Sequence, residues 1–210
     1  MFTKLQKEVK LAPNTSKTII TDRLPSCTIT LGKNSTLEIT AILTKGWKQN
    51  RTITANLKSQ HSNLKITILT IGHNSDNFPL EITSNHTTPN TNASYIVRSV
   101  LSDESSVNFK GNIVIPKKGQ QTKTYLAHHT LMLSPKAKTD TIPCLEITAD
   151  DVTAGHAATV GQVDEDSLFY LQSRGLTKKE SKNLLIKGFL EADISDPFAL
   201  KQIQCLIPTQ

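Results

Sequence analysis

The chain predicts a β-solenoid with a small helical appendage, and three observations carry that reading. Apolar and polar residues alternate in short runs through roughly the first 160 positions, the period of a strand with one buried face. The apolar positions recur at a near-constant interval. Only after Val163 does helical spacing with capping signals take over.

The composition sets the outer limits. A chain of 210 residues holds one sizeable core or one elongated domain with an appendage. Only 5% of residues are aromatic and 37% hydrophobic, and Thr, Asn and Ser crowd the first half. Such a balance favours short strands and turns over a helical bundle. Residues 1 to 80 carry eleven Lys or Arg against Glu8, Asp22, Glu38 and Asp76, a balance of +7, so the remainder sums to −1 of the total +6. These cations are scattered singly, with Phe2 and Trp47 almost the only aromatics among them. They read as a solvated basic surface, with no nucleic-acid partner expected. The N-terminus MFTKLQKEVKLAP resembles no signal peptide, and nowhere do about 18 apolar residues stand together. A soluble, cytoplasmic chain without membrane contact is therefore expected. Cys27, Cys144 and Cys205 are odd in number and widely spaced, as for free thiols in a reducing compartment.

Taken in order, the first 60 residues show weak alternations at Thr18 with Ile20, Cys27 with Ile29, Leu37 with Ile39, and Ile53 alone. From Leu64 the rhythm sharpens, with apolar positions at Ile66, Leu80, Ile96, Ile113, Leu131 and Leu145, spaced 14, 16, 17, 18 and 14 apart. Two-residue Asn-Gly or Asp-Gly hairpins are absent, which argues against a meandering antiparallel sandwich. Strands at near-constant spacing suit a coil that returns to the same side each turn, stacking its inward side chains rung upon rung. After the rhythm ends, Asp164 caps a helix holding Leu168, Phe169 and Leu171, and Gly175 suits its left-handed C′ position. Thr177 to Glu180 forms a capping box for a second helix with a stripe of Leu184, Leu185, Gly188, Phe189 and Ala192. Ser195, Asp196 and Pro197 start a third, with Phe198, Leu200, Ile203 and Leu206. The expected division is a solenoid over 1–163 and a helical domain over 164–210.

The segment from Leu145 to Gly175 joins the two parts. Val152, Ala154, His156, Ala158 and Val160 share one parity, so a strand there places one imidazole among four apolar side chains. The other parity holds Thr153, Gly155, Ala157, Thr159 and Gly161, small enough for another backbone or subunit to come close. Together they suggest a contact surface.

Catalytic signatures are largely missing. The chain has no phosphate loop of Walker type, no C-x-x-C, no H-E-x-x-H and no G-x-S-x-G. Asp150 and Asp151 sit where a bend is expected and read as turn residues. His128 and His129 are adjacent, so in a strand they face opposite sides and cannot share one metal without a bend. Cys144 has the parity of Glu146, opposite to Leu145 and Ile147, and so points away from the solenoid interior. A buried, inert thiol is the ordinary fate of such a cysteine, and a packing role the ordinary one for His156.

Two stretches resemble a known family. YIVRSVLSDESSVNFKGNIVI and LMLSPKAKTDTIPCLEITADDVTAGHAATVGQVDEDSLFYLQSRGLTKKES look like the core and C-terminus of SufB/SufD proteins, scaffolds of the Suf iron-sulfur cluster assembly system. The likeness runs from Tyr95 to about Ile194, while residues 1 to 94 match only in style. It implies a right-handed parallel β-helix followed by a helical domain, and a non-enzymatic role. It further implies pairing of SufB-like and SufD-like chains through the ends of their β-helices, with an ATPase, SufC, docked on each helical domain. The run A-D-D-V-x-x-x-H-x-A-T-V-G-Q resembles the SufD branch, because SufB-like chains place a glutamate where this chain has Ala157.

By that match His156 corresponds to the interface histidine that helps hold a nascent cluster, with Val152, Ala154 and Ala158 on the pairing edge. Leu168, Phe169, Tyr170, Arg174 and Gly175 become candidates for the SufC contact. His128, His129 and Cys144 are secondary candidate ligands. The SufB-like partner has a cysteine near the positions of His128 and His129, so the resemblance implies a transient cluster shared with a partner chain and none bound by this chain alone. Nucleotide-driven SufC dimerisation would then shift the paired β-helices and form or expose the site near His156. The chain has about half the usual family length and lacks the N-terminal helical region, so its partner is a SufB-like chain or a second copy of itself. The rival reading is a β-solenoid that binds or cleaves a polysaccharide, which would need secretion and a carboxylate cluster on successive rungs.

Overall fold

A computed structural model of the chain describes residues 1–207; the last positions of the expected helical domain, 208–210, lie outside them. Twelve strands alternate between two parallel six-stranded sheets. The first sheet contains β1 (Glu8–Leu11), β3 (Cys27–Leu31), β5 (Arg51–Leu57), β7 (Asn77–His86), β9 (Ser106–Ile115) and β11 (Lys138–Ile147). The second contains β2 (Ser16–Thr21), β4 (Thr36–Leu43), β6 (Asn63–Gly72), β8 (Asn92–Leu101), β10 (Thr122–Met132) and β12 (Val152–Gln162). Three helices follow, α1 (Glu165–Ser173), α2 (Lys178–Glu191) and α3 (Pro197–Leu206). This is the parallel β-solenoid with a helical end that the alternation predicts.

The repeat is longer than the apolar rhythm suggested. One turn takes two strands, and the register advances from 20 residues between Glu8 and Thr28 to 32 between Ser106 and Lys138. The intervals of 14 to 18 are therefore half-turns, each crossing to the opposite sheet. Inward side chains stack in register, as in the column Ile39, Ile66, Tyr95, Leu126 and His156. Phe78, Tyr95 and Phe109 are fully buried and fill the wide middle of the coil. Burial of such columns supplies the driving force, at about 25 cal/mol per Å² of apolar surface removed from water.

The corners explain how the chain turns without hairpins. Asn14, Asn34, His61, Asn90 and Gln121 all have positive φ, a left-handed conformation that asparagine tolerates best among residues other than glycine. A Thr or Ser follows each, and the hydroxyls of Thr15, Ser35, Ser62 and Thr91 donate back to carbonyls three residues earlier.

A second core lies outside the solenoid. Ile20, Ile42, Leu69, Ile71, Val100 and Leu131 project from the outer face of the second sheet and are covered by Ile186 and Leu190 of α2 and by Ala199 and Ile203 of α3. Arg98 Nε donates to Asp193 Oδ2 at 2.6 Å, and its guanidinium stacks 5.0 Å from the Phe189 ring. The helices thus share a core with the strands. This corrects several orientations. Ile20 and Leu131 point outward beneath the helices, and Ile96 is half-buried with the inward places taken by Tyr95 and Val97.

The α2 stripe also differs from the expected one: Leu184 and Gly188 are exposed, whereas Ile186 and Leu190 are buried. In α3, Leu206 is exposed and Ala199 and Ile203 face inward. In α1 only Leu168 is buried. Each helix has more than one apolar stripe, and contact with the sheet selects among them. The caps hold as expected, with Asp164 receiving Ser167 N–H, Thr177 and Glu180 forming a capping box, and Asp196 ahead of Pro197.

Candidate functional site

The two ends of the solenoid differ. At the N-terminal end, Leu5 and Leu24 are buried in the main core, and Phe2 packs edge-on against Phe198 at 5.4 Å. At the other end, β11 and β12 each pair on one side only, with β9 and β10. Their outer backbone edges face away from the coil. The inward positions of this last rung are only partly covered: Leu145, Ile147, Val152 and Ala154 lie half-buried against the core, while His156 and Ala158 are exposed. One rung below, Leu126 and His128 are each 1% exposed. His156 therefore occupies an interior position that lacks the rung which would bury it.

The remaining candidate ligands do not converge. His128 lies inside the coil, with Nε2 2.9 Å from Ser99 Oγ and Nδ1 2.7 Å from Thr141 Oγ1, and its ring edge-on to Phe109 at 5.1 Å. Burial, and secondarily the neighbouring His129, push its pKa down to about 4, so it is neutral at pH 7 with both nitrogens engaged. His129 faces the opposite way, as parity predicted, and its Nδ1 lies 2.8 Å from Thr159 Oγ1 on β12. Partial burial lowers its pKa, with Arg98 adding to the effect and Asp193 opposing it. Cys144 lies on the outside of the first sheet, in register with Asn112. It is exposed, so the expectation of a buried thiol is corrected. All three cysteines are free. Among the described residues no group of three or more His, Cys, Asp or Glu side chains is placed to hold a metal ion. Asp150 and Asp151 form the bend before β12, where Asp151 N–H donates to Gln120 Oε1 at 2.9 Å.

A second surface begins a few residues later. Leu168 is 5% exposed, so it packs and offers no docking side chain, a correction to the set above. Phe169 and Tyr170 are instead 74% and 56% exposed. The Arg174 guanidinium sits 5.2 Å from the Tyr170 ring, and Gly175 has φ +95°. A groove of about 490 Å³ between α1 and α2 is lined by Ser167, Tyr170, Leu171, Leu184 and Leu185. The apolar stripe predicted for α2 counts both leucines as core, whereas the structure places them along this groove. Their adjacency was the available signal, since neighbouring apolar residues on a helix cannot share one narrow face. Hydrogen bonds from Ser167 hold the Asp164 carboxyl below the usual carboxylate range and fix the start of this surface.

Strand parity alone gives no sign of the hydroxyl network inside the coil. Thr70 donates to Ser99, Ser99 meets His128, and Thr130 meets both His128 and Thr139. A separate cluster joins Tyr95, Ser84, His86, Thr91 and Thr122.

An elongated parallel solenoid, bare at one end and carrying an apolar helical groove beside that end, is a protein of contact surfaces. The chain belongs to the SufBD family: the family model described as SUF system FeS cluster assembly, SufBD core domain, matches residues 14–189. The match thus reaches far upstream of Tyr95, into rungs whose alternation carries few distinctive residues. The chain is 35% identical over 136 residues to the iron-sulfur cluster assembly protein SufD of Bacillus subtilis, covering 65% of this chain and 31% of that protein. It is 32% identical over 106 residues to SufB of the same bacterium, covering 50% and 23%. To a SufBD family protein of Pyrococcus horikoshii it is 39% identical over 99 residues, covering 47% and 22%. The matched stretches span less than a third of the length of these curated relatives. SufB and SufD proteins both match, so membership is established at the level of the family. Among the described residues no helix is long and apolar enough to cross a membrane.

Proposed function

We infer that the chain is a non-catalytic scaffold subunit of a SUF-type iron-sulfur cluster assembly complex, acting in the cytoplasm, where its three free thiols stay reduced. The bare last rung carries this reading. Unpaired strand edges and half-covered Leu145, Val152 and Ala154 gain burial and backbone hydrogen bonds when another solenoid end abuts them. His156 and Ala158 then lie at the junction. The partner is a SufB-like chain or a second copy of this one. The nascent cluster is cargo: His156 offers one imidazole, and thiolates come from the partner, since Cys144 points elsewhere. A SufC-like ATPase docks on Phe169, Tyr170 and the groove beside Leu184, and its nucleotide-driven movement shifts the paired ends.

Two variants separate the parts of this reading. Phe169→Ala with Tyr170→Ala removes exposed rings only, so the melting temperature should hold while capture of a SufC-like ATPase is lost. Retained capture would sink the docking half. His156→Ala should fold and pair normally yet lower the yield of cluster in a reconstitution with a SufB-like chain. An unchanged yield would return His156 to a packing role.

A further inference from the structure

Away from the bare last rung, the connection between β4 and β5 is unlike its counterparts. At the edge where the second sheet passes to the first, the other connections span four or five residues, whereas this one spans 44–50. The extra residues are held firmly. Gly46 N–H donates to Asp76 Oδ1 at 3.0 Å, Trp47 N–H to the Asn77 carbonyl at 2.7 Å, and Trp47 Nε1 to the Pro79 carbonyl at 2.9 Å. A Cβ at Gly46 would fall 2.5 Å from Asn77 N, so the close approach requires glycine.

Beside this pinned loop runs a groove of about 560 Å³ whose lining includes Lys7, Ser26, Lys48, Asn50 and Arg51. Arg51 is prepositioned: Nη1 donates to the Leu24 carbonyl at 2.5 Å, and the guanidinium lies 4.1 Å from the Trp47 ring. Among the described residues the ion pairs are Lys10 with Glu8, Arg98 with Asp193, and Lys136 with Glu104. Lys7, Lys48 and Arg51 thus converge with no carboxylate neutralising any of them. The Glu81 carboxylate instead accepts from the Asn50 amide at 3.3 Å.

We propose that this groove binds a small phosphate-bearing anion. A half-buried guanidinium with one nitrogen fixed still presents a planar fork suited to two phosphate oxygens, and two mobile ammonium groups match the remaining charge. Trp47 also lines the groove but is only 9% exposed, with the Arg51 guanidinium over its ring and Phe78 edge-on to it, so too little of its face is left to stack a base. Three cations line this one groove, too few to track a strand's backbone, which selects a small polyanion over a nucleic-acid strand. The ligand is free pyrophosphate or the phosphate tail of a nucleotide, and the chemistry read is the same.

Trp47 is the only tryptophan, so its fluorescence reports both binding and fold. Titration of the full chain with pyrophosphate should saturate, and Arg51→Gln should weaken it about tenfold or more, as expected for loss of a charge-assisted pair. Lys48→Gln and Lys7→Gln, whose side chains are exposed, should each weaken it severalfold with the melting curve unchanged. Lys136→Gln, a distant paired lysine, should have no effect. ADP binding as tightly as pyrophosphate assigns the site to a nucleotide tail, and much weaker ADP binding assigns it to the free anion. Absence of saturation, equal affinity in all three groove variants, or an equal loss in Lys136→Gln would overturn the proposal.

Discussion

Acidification from pH 7 to pH 5 should destabilise the fold through two buried imidazoles, His86 and His128. Burial pushes both pKa values down from 6.5 to about 4, and their hydrogen-bond partners are hydroxyls of Ser84, Thr91, Ser99, Thr130 and Thr141. The unfolded chain therefore binds more protons than the folded one between those values, so stability is full above about pH 6.5 and falls toward pH 4. With about 1.36 kcal/mol per pKa unit, each histidine accounts for about 2 kcal/mol at pH 5 and about 3 kcal/mol below pH 4. Two such losses rival the whole stability of many domains, about 5–15 kcal/mol. Urea unfolding followed by Trp47 fluorescence at half-unit pH steps measures the profile. His128→Asn should be less stable at pH 7, because it leaves hydroxyls unpaired, yet lose about 2 kcal/mol less than the parent on going to pH 5. Identical slopes in parent and variant, or an NMR titration of His128 centred near 6.5, would refute the reasoning.

Other expectations concern the helical annex and the loop. Leu190→Ala should cost about 2–5 kcal/mol in the same urea assay, because Leu190 is fully buried between α2 and the second sheet. Leu184→Ala, in the open groove, should be close to neutral, and a large loss there would restore the stripe read from sequence. Asp193→Asn should destabilise by about 1–3 kcal/mol by leaving Arg98 half-buried without its carboxylate; a melting point within error of the parent would show that the stack on Phe189 suffices.

The legible parts were those set by local chemistry. Strand parity placed His128 and His129 on opposite faces and turned Cys144 outward, because successive side chains in a strand must alternate. The helix caps at Asp164, Thr177 and Asp196 follow from short-range hydrogen bonds and stand where expected. The true period was also written in the chain, at Asn14, Asn34, His61, Asn90 and Gln121, spaced 20, 27, 29 and 31 apart and each followed by Thr or Ser. Apolar pairs hid it, since a two-sided coil shows an apolar strand twice per turn.

What sequence could not supply was the side from which each face is covered. Leu131 and Ile20 have the residue type of an interior position, and only docked helices make the exterior equally dry. His156 and Leu126 occupy the same column, yet one is exposed and the other buried. Their difference is the absence of a rung beyond β12. Alternation, corners and caps are local, so the amino-acid order alone determined a parallel solenoid ending in three helices. Burial sums contributions from residues distant in sequence, so only the tertiary structure decided that His128 is sealed and neutral, that His156 stands at a bare end, and that Arg51 is held ready over Trp47.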